Sequence, residues 1–298
     1  MNSLPGENEI LPVHEGNAAS ETQRLQSEMK ALERRLTKIE KKAGEVRNLA
    51  LDRAVQEMAL ELCSYMTPVD PVGLEFERVG RDFDGGYIMV RHEASSRIAY
   101  SLGINRDVSW DLAMAERGYK VFQYDHTIDR LPLTHPNFTF HRLGITGPSL
   151  VTDQLRSLDE QIISNSHADQ HNMVLKMDIE GHEWEVFSEI SESDLSRFTQ
   201  ILIECHSFGK MHKLFWYRKA RQALRNLAKT HRVVHVHGNN NSPMIVLGGV
   251  AMPQTLELTW FRRDLCEFSA CTRRFPTPLD QPNNPNYSDH CLGNFCFA

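Results

Sequence analysis

Leu175-Lys-Met-Asp-Ile-Glu-Gly-His-Glu183 is the stretch of sequence that decides the fold. An apolar run leads directly into two carboxylates, Asp178 and Glu180, and a glycine and a helical pattern follow them. This order predicts a buried strand that ends at the rim of a sheet, where Gly181 allows a tight turn. The alternative is an ordinary strand end whose two acids are merely solvated.

Composition limits the classes of protein to consider. The chain has 298 residues, enough for one large domain with an appendage or for two small domains. Its net charge of -6 disfavours non-specific nucleic-acid binding. The sequence contains neither an apolar run of about 18 residues, as a membrane span requires, nor the pattern of a signal peptide. We therefore expect a cytoplasmic protein whose six cysteines are mostly reduced.

The N-terminal arm has a different character from the rest. Residues 1–20 are polar and predict disorder. Residues 21–62 predict a coiled-coil helix that makes the protein a homo-oligomer, with one long helix folded back on its own domain as the alternative. The apolar residues at steps of four and three are Leu25, Met29, Leu32, Leu36, Ile39, Ala43, Val46 and Ala50.

A strand, a glycine turn, a helix and a second strand follow one another between residues 97 and 125. Gly103 ends the first strand, and Asp125 ends the second strand 22 residues later. An acid at this place holds ribose hydroxyls in nucleotide-binding βαβ units, although a strand-ending acid is also common. The glycine pattern is incomplete, because Asn105 stands where a second glycine is usual.

The remaining pattern continues the alternation of strands and helices. Strands are predicted at 137–143, 172–177, 199–206 and 232–240, and residues 243–252 and 256–263 predict a closing hairpin-like pair. Asp84-Gly-Gly predicts a hairpin turn that either only enters the domain or closes over a ligand. The alternation predicts a doubly wound α/β sheet with its site at the carboxyl edge. The polar strand ends expected to converge there are Asp125, Asp178, Glu204, His206 and His237.

These motifs together resemble the FkbM-type S-adenosylmethionine-dependent methyltransferases, in particular the branch of animal methyltransferase-like proteins. The resemblance rests on Tyr100–Asp111, Val121–Thr127 and Leu175–Glu183, on His237-Gly-Asn-Asn240, and on Leu279–Pro285. It implies a Rossmann-like class I methyltransferase sheet with helices on both faces and a final antiparallel strand. By position, Gly103, Ile104 and Asn105 would contact the methionine part of the cofactor, Asp125 and His126 its ribose side, and Asp178 its sulfonium.

Methyl transfer to a hydroxyl needs a group that accepts the proton, and the candidates are Asp178, Glu204 and His206. We therefore expect an O-methyltransferase acting on a sugar, a glycan or a related small molecule. A divalent metal held by Asp178, Glu204 and His206 is a further possibility. The residues expected to bind the substrate are Asp84, Tyr87, Glu180, His237 and Asn239.

Two other functions remain open, and so does the C-terminus. The chain could be a coiled-coil interaction protein with a degenerate methyltransferase fold, or a nicotinamide-dependent oxidoreductase that lacks the full phosphate-binding fingerprint. The expected domain is 63–265, followed by an extension, 266–298, that packs on it. The extension holds Cys266, Cys271, Cys291 and Cys296, whose spacing permits structural zinc, disulfides or free thiols.

Overall fold

The computed structural model describes residues 15–93 and 95–297, which divide into two compact units at the boundary between Asn48 and Leu49. The first helix, α1, spans Glu15–Leu51, so residues 15–20, expected to be disordered, are helical here. The rest of that expected segment lies outside the described residues. The large apolar side chains of the predicted seam, from Leu25 to Val46, are each more than half exposed.

The helix predicted over 21–62 is two helices in the structure, because Asp52 starts a new one. Its Oδ1 atom accepts the N–H groups of Ala54 and Val55 at 2.8 and 3.1 Å, which caps helix α2, Arg53–Met66. The buried face of α2 includes Leu62 and Met66, both fully enclosed in the core of the second unit. This segment therefore belongs to the domain core rather than to a coiled coil.

The second unit continues from α2 with short strands and helices in alternation. In chain order they are β1 Val69–Pro71, β2 Phe76–Val79, β3 Tyr87–Val90, β4 Ile98–Leu102, α3 Ser109–Glu116, β5 Lys120–Tyr124, β6 Phe138–His141, β7 Gly144–Thr146, β8 Leu155–Ser157, α4 Leu158–Ser164, β9 Met173–Met177, α5 Glu183–Glu189, α6 Glu192–Leu195, β10 Phe198–Cys205, α7 Leu214–Thr230, β11 His231–Gly238, β12 Met244–Leu247, β13 Val250–Pro253, β14 Leu256–Arg262 and β15 Phe268–Ala270.

Seven of these strands form one central sheet in the order β11-β14-β10-β9-β4-β5-β6. The neighbouring pairs from β10 to β6 are parallel, whereas β14 runs antiparallel to both β10 and β11. The expected α/β class and the final antiparallel strand are therefore confirmed. The predicted closing pair of 243–252 with 256–263 is wrong, since β12 pairs with β13 while β14 enters the sheet. All residues of β14 but the last are buried, as an interior strand requires.

Helices cover both faces of this sheet, and alternate residues of one strand serve each face. On β9, Val174 packs in the cluster that contains Trp110 of α3, while Leu175 packs in the larger cluster with Trp184 of α5. Each fully buried large apolar side chain contributes about 1.5–3 kcal/mol relative to an exposed one. The parallel strands are thus fixed from both sides, and their carboxyl ends share one edge.

The structure also bears on two expectations, the lack of a membrane-spanning segment and the state of the cysteines. In the described part of the chain, every helix is too short or too polar to cross a bilayer. The six cysteines are free thiols, and Cys291 and Cys296 are exposed. Within the same residues no group of cysteines is arranged as metal ligands.

Candidate active site

A cavity of about 860 Å³ opens at the carboxyl edge of the central sheet. This volume lies within the range of about 300–1,000 Å³ that is usual for small-molecule sites. Twelve of the thirteen residues expected at the site line it, and only His237 does not. The lining residues are Asp84, Tyr87, Gly103, Ile104, Asn105, Asp125, His126, Asp178, Glu180, Glu204, His206 and Asn239.

The turn after β4 holds two strand ends close together. Gly103 has φ +81°, and a Cβ atom there would overlap the backbone carbonyl oxygen of Asp178. Its N–H donates to the carbonyl of Tyr124 at 2.9 Å, and the N–H of Asp178 donates to the carbonyl of Leu102 at 2.9 Å. Only glycine fits this close approach at this backbone conformation. Asn105, with φ 49°, completes the turn.

Asp125 organises the loop at the end of β5. One carboxylate oxygen accepts the N–H groups of Ile104 and Asn105 at 2.9 and 2.8 Å, and the other accepts the N–H and hydroxyl of Thr127 at 2.7 and 2.6 Å. Burial acts to raise the pKa of Asp125, but these hydrogen bonds outweigh it and hold the pKa below its ordinary value. The carboxylate is therefore ionised and pinned beside the glycine turn.

Lys176 is a functional candidate that the sequence analysis did not single out. This buried side chain donates from Nζ to the carbonyl of Gly103 at 2.8 Å and lies 5.7 Å from the ring centre of Tyr87. It is also the main positive charge acting on Asp111 and Asp178. A lysine in an apolar strand was the available signal, because a buried cation needs partners.

His206 lies at the centre of the acidic groups that follow β9 and β10. Its Nε2 atom is 3.5 Å from Glu180, 3.7 Å from Glu204 and 3.8 Å from Asp178, measured to the nearest carboxylate oxygens. Its carbonyl accepts the indole N–H of Trp184 at 2.8 Å, which fixes the backbone at this point. The predicted convergence of these strand ends is thus found in the geometry.

Glu183, to which the sequence analysis gave no role, fixes the turn after β9 and the ring of His206. The carboxyl group is fully buried, and its Oε1 atom accepts the N–H groups of Ile179 and Gly181 at 2.9 and 3.2 Å. The same atom lies 3.1 Å from Nδ1 of His206. Glu183 therefore holds this turn, whereas the side chain of Glu180 is 85% exposed.

The pKa values of the cluster follow from burial and from neighbouring charge. Burial raises the pKa of Asp178 to about 6, although Lys176 and His206 oppose the change. Burial and the nearby carboxylates raise the pKa of Glu204 well above its ordinary value. Burial alone would lower the pKa of His206, but Glu183 and the other acids raise it to about 9. At neutral pH the ring is protonated and Asp178 is ionised.

The donor atoms of this cluster are also spaced for a cation. Among the described residues, Asp178, Glu183 and His206 each offer one ligand atom within 4.8 Å of the others. The metal set expected from the sequence contained Glu204 in place of Glu183.

His237 stands outside the cavity lining, which corrects its expected place at the substrate. Its Nδ1 atom lies 3.0 Å from Glu257, and its Nε2 atom lies 3.1 Å from Asp289. Burial would lower the pKa of His237, but the hydrogen bonds to Asp289 and Glu257 raise it to about 10. With both ring nitrogens bound to protein, His237 is a structural cation behind the site.

The C-terminal segment holds the loop of the β2–β3 hairpin, which lines one side of the cavity. Asn283 donates to Asp84 of the hairpin loop at 3.1 Å and to Glu257 of β14 at 2.6 Å. Gln281 donates to Asp82 of the same loop at 3.0 Å. The hairpin, which could have been a plain entry turn, is thus fixed beside the cavity.

The order of the seven strands, the antiparallel β14 and the cavity at the carboxyl edge fit the fold of the Rossmann-like methyltransferases. Residues 93–231 match the family model described as the methyltransferase FkbM domain. The resemblance to the FkbM-type methyltransferases is therefore confirmed for residues 93–231, and this part of the chain is an FkbM-type methyltransferase domain. No curated protein matches the chain.

Proposed function

We propose that the protein transfers a methyl group from S-adenosylmethionine to a hydroxyl of a sugar, a glycan or a related small molecule. The observation that carries this proposal is the shared cavity, which joins the Gly103 turn, the Asp125 carboxylate and the His206 cluster. The first two features suit a nucleoside cofactor. The third supplies groups that can hold an acceptor and take its proton.

The cofactor would extend along the ends of β4 and β5. Gly103, Ile104 and Asn105 would contact its methionine part, while Asp125 and His126 would face the ribose. The hydroxyl of Thr127 can rotate away from Asp125, which frees one lone pair of the carboxylate for a ribose hydroxyl. Ile145 and Leu155 provide apolar lining on the same side, which suits the adenine ring.

Methyl transfer is an in-line displacement at the sulfonium carbon. The bond from the acceptor oxygen to the methyl carbon forms as the sulfur–methyl bond breaks, and its electron pair stays on the sulfur as a neutral thioether. The acceptor proton must go to a base, and Asp178 is ionised at neutral pH because its pKa is about 6. His206 is protonated below about pH 9, and its positive charge offsets the negative charge of the neighbouring carboxylates.

The acceptor would lie against Asp84, Tyr87, Glu180, Glu204 and Asn239. Carboxylate and amide groups form paired hydrogen bonds with neighbouring hydroxyls, so this lining favours a polyhydroxylated molecule. Glu204 accepts a hydrogen bond from the side-chain amide N–H of Asn239 at 2.6 Å. Burial and the neighbouring carboxylates raise the pKa of Glu204, which favours its protonated form, and that form can also donate a hydrogen bond to an acceptor oxygen.

Calorimetry with S-adenosylmethionine tests cofactor binding. We expect Asp125→Asn to weaken binding about 10- to 100-fold, the effect of losing hydrogen bonds to a charged group. Asp129→Asn is the matched control, since its carboxylate is 83% exposed and pairs with Arg142 at 2.8 Å. Equal affinities of the two variants for the cofactor would remove Asp125 from the site.

Transfer of a labelled methyl group tests the reaction. We expect Asp178→Asn still to bind the cofactor and to transfer the methyl group at least about 100-fold more slowly. A panel of sugars, polyols and amines separates the acceptor classes. Activity on amines alone would overturn O-methylation, and retained activity in Asp178→Asn would overturn the role of that carboxylate.

An oligomer formed through α1 is a second proposal, favoured by the exposed apolar seam from Leu25 to Val46. Such a stripe gains stability when it packs against a second copy as a coiled coil. An interaction protein with a silent methyltransferase fold would share this helix, and methyl transfer distinguishes the two functions. The cytoplasmic location stays a prediction.

A further inference from the structure

The loop between β2 and β3, residues 80–86, has a backbone that needs support from its surroundings. Phe83 has φ 62° and Gly85 has φ 91°, and a left-handed backbone is unfavourable for phenylalanine. Such a conformation persists only where surrounding contacts determine it. Two parts of the loop have these contacts on α3, because Ser109 accepts the N–H of Arg81 at 3.1 Å and donates to the carbonyl of Gly85 at 3.3 Å.

The middle of the loop is held by the C-terminal segment. Gln281 contacts two successive loop residues with the two ends of its amide. Its Oε1 atom accepts the N–H of Phe83 at 2.9 Å, and its Nε2 atom donates to the carboxylate of Asp82 at 3.0 Å. An amide paired in this way fixes both a backbone group and the neighbouring side chain. Gln281 therefore supports the left-handed turn at Phe83 directly.

Asn283 supplies the contact nearest to the cavity. Its Nδ2 atom carries two protons, which it donates to Asp84 at 3.1 Å and to Glu257 of β14 at 2.6 Å. Asn283 is 5% exposed, whereas Asp84 is exposed and lines the cavity. One carboxylate oxygen of Asp84 is thus tied to the central sheet through a buried amide. The second oxygen can accept a hydroxyl from a molecule in the cavity.

Residues 280–290, which we call the C-terminal clamp, are themselves anchored to β11. The Nε2 atom of His235 lies 2.8 Å from Asp280, and the Nε2 atom of His237 lies 3.1 Å from Asp289. Both histidines are buried, and hydrogen bonds between buried groups with a charged partner are among the stronger ones. The clamp is therefore fixed to an edge strand of the sheet at two points.

The clamp also contacts the loop that follows β11. The side chain of Asn240 accepts the N–H of Asn284 at 2.7 Å and donates to its carbonyl at 3.0 Å. The Nε2 atom of His290 lies 2.8 Å from the carbonyl oxygen of Ser242. Asn239 and Ser242 line the cavity. One segment thus holds both loops that border the proposed acceptor side of the cavity.

We propose that Asn283 is a positioning residue that places Asp84 for the acceptor, so that the C-terminal clamp determines how tightly the acceptor binds. This inference rests on the proposed methyl transfer. Asn283 acts through Asp84 rather than on the reacting atoms. A displaced Asp84 weakens binding of the acceptor in the ground state and in the transition state alike, so KM rises while kcat is retained.

Asn283→Asp tests this role, because it keeps the shape of the side chain and replaces the donating NH₂ group by an oxygen that Asp84 and Glu257 repel. Transfer of a labelled methyl group is measured with the sugar or polyol that the wild type methylates fastest. We expect the KM for this acceptor to rise about 10- to 100-fold. The kcat and the affinity for S-adenosylmethionine should change less than about threefold. Gln281→Glu, which places a carboxylate against Asp82, should raise the same KM.

Asn286→Asp is the matched control, because it makes the same chemical change in the same segment. This side chain is exposed, and its amide donates to Asn284 at 3.2 Å. Its acceptor KM should stay within about twofold of the wild type. Hydrogen–deuterium exchange of the full chain gives a second readout that needs no acceptor. We expect residues 81–86 to exchange at least about 10-fold faster in Asn283→Asp, and the strands of the central sheet to exchange as in the wild type.

Unchanged exchange of residues 81–86 in Asn283→Asp and Gln281→Glu would overturn the positioning role. A lower kcat with an unchanged KM would indicate a merely structural effect and would also overturn it. Turnover by the wild type with the same KM in both variants removes only the role of the clamp. If the wild type methylates no sugar or polyol, the proposed function and the acceptor role fail together, and exchange still decides whether the clamp holds the loop.

Discussion

Replacing Gly103 by alanine tests the close approach on which the candidate site is built. The variant has two separate costs. A left-handed backbone at φ +81° costs an alanine about 1–2 kcal/mol. The added methyl group also overlaps the carbonyl of Asp178, so the ends of β4 and β9 must separate.

That separation breaks two hydrogen bonds. The bond from Asp178 to Leu102 contributes about 1 kcal/mol, and the bond from the charged Lys176 to the carbonyl of residue 103 about 1.5–3 kcal/mol. We therefore expect Gly103→Ala to lower the free energy of unfolding by about 4–6 kcal/mol, and to weaken binding of S-adenosylmethionine as well.

Gly118→Ala is the matched control for the backbone cost alone. Gly118 has φ +83°, nearly the same as Gly103, and a Cβ atom there meets nothing within 4 Å. Urea unfolding followed by tryptophan fluorescence gives both free energies. If the two variants lose the same stability to within about 0.5 kcal/mol, the overlap with Asp178 has no consequence and the reasoning fails.

Three further outcomes are expected. His237, whose pKa is raised to about 10, stabilises the fold fully below its unfolded pKa of about 6.5. Between pH 7 and 10 the free energy of unfolding of the wild type should therefore fall by about 1.4 kcal/mol per pH unit because of His237. His237→Gln should show a smaller decrease when both are measured by urea unfolding. Thr127→Val removes the hydroxyl hydrogen bond to Asp125 and leaves the backbone one, so calorimetry should show unchanged or tighter binding of the cofactor; a large loss would mean that the hydroxyl itself contacts the ribose. Leu32→Asp in the exposed seam should convert an oligomer to a monomer in sedimentation, and an unchanged mass would exclude α1 as the contact.

The sequence was sufficient to place the main groups of the site because each of them ends a strand. Asp125, Asp178, Glu204 and His206 follow apolar runs of strand length, and parallel strands bring their carboxyl ends to one edge. The local pattern of an apolar run followed by a polar residue is enough to find these groups, because the parallel sheet brings the strand ends together.

Other parts of the site depend on contacts that no local pattern contains. Lys176 meets Gly103 across 73 positions, and Asn283 meets Asp84 across 199. The prediction of a coiled-coil helix over 21–62 failed at α2 for a different reason. A core helix and a coiled-coil helix both repeat their apolar residues every three or four positions, so the repeat alone did not show that α2 packs in the core.

The place of β14 in the sheet has a consequence for biosynthesis. Strands β10 and β11 leave the ribosome first, yet their neighbour in the sheet is Leu256–Arg262, which follows later. Until that segment emerges, β10 presents an unpaired edge of eight residues that are all buried in the finished protein. An open apolar edge is a template for pairing with other chains. That edge stays open while residues 206–262 emerge, so this is the interval in which the nascent chain is most exposed to pairing with other chains.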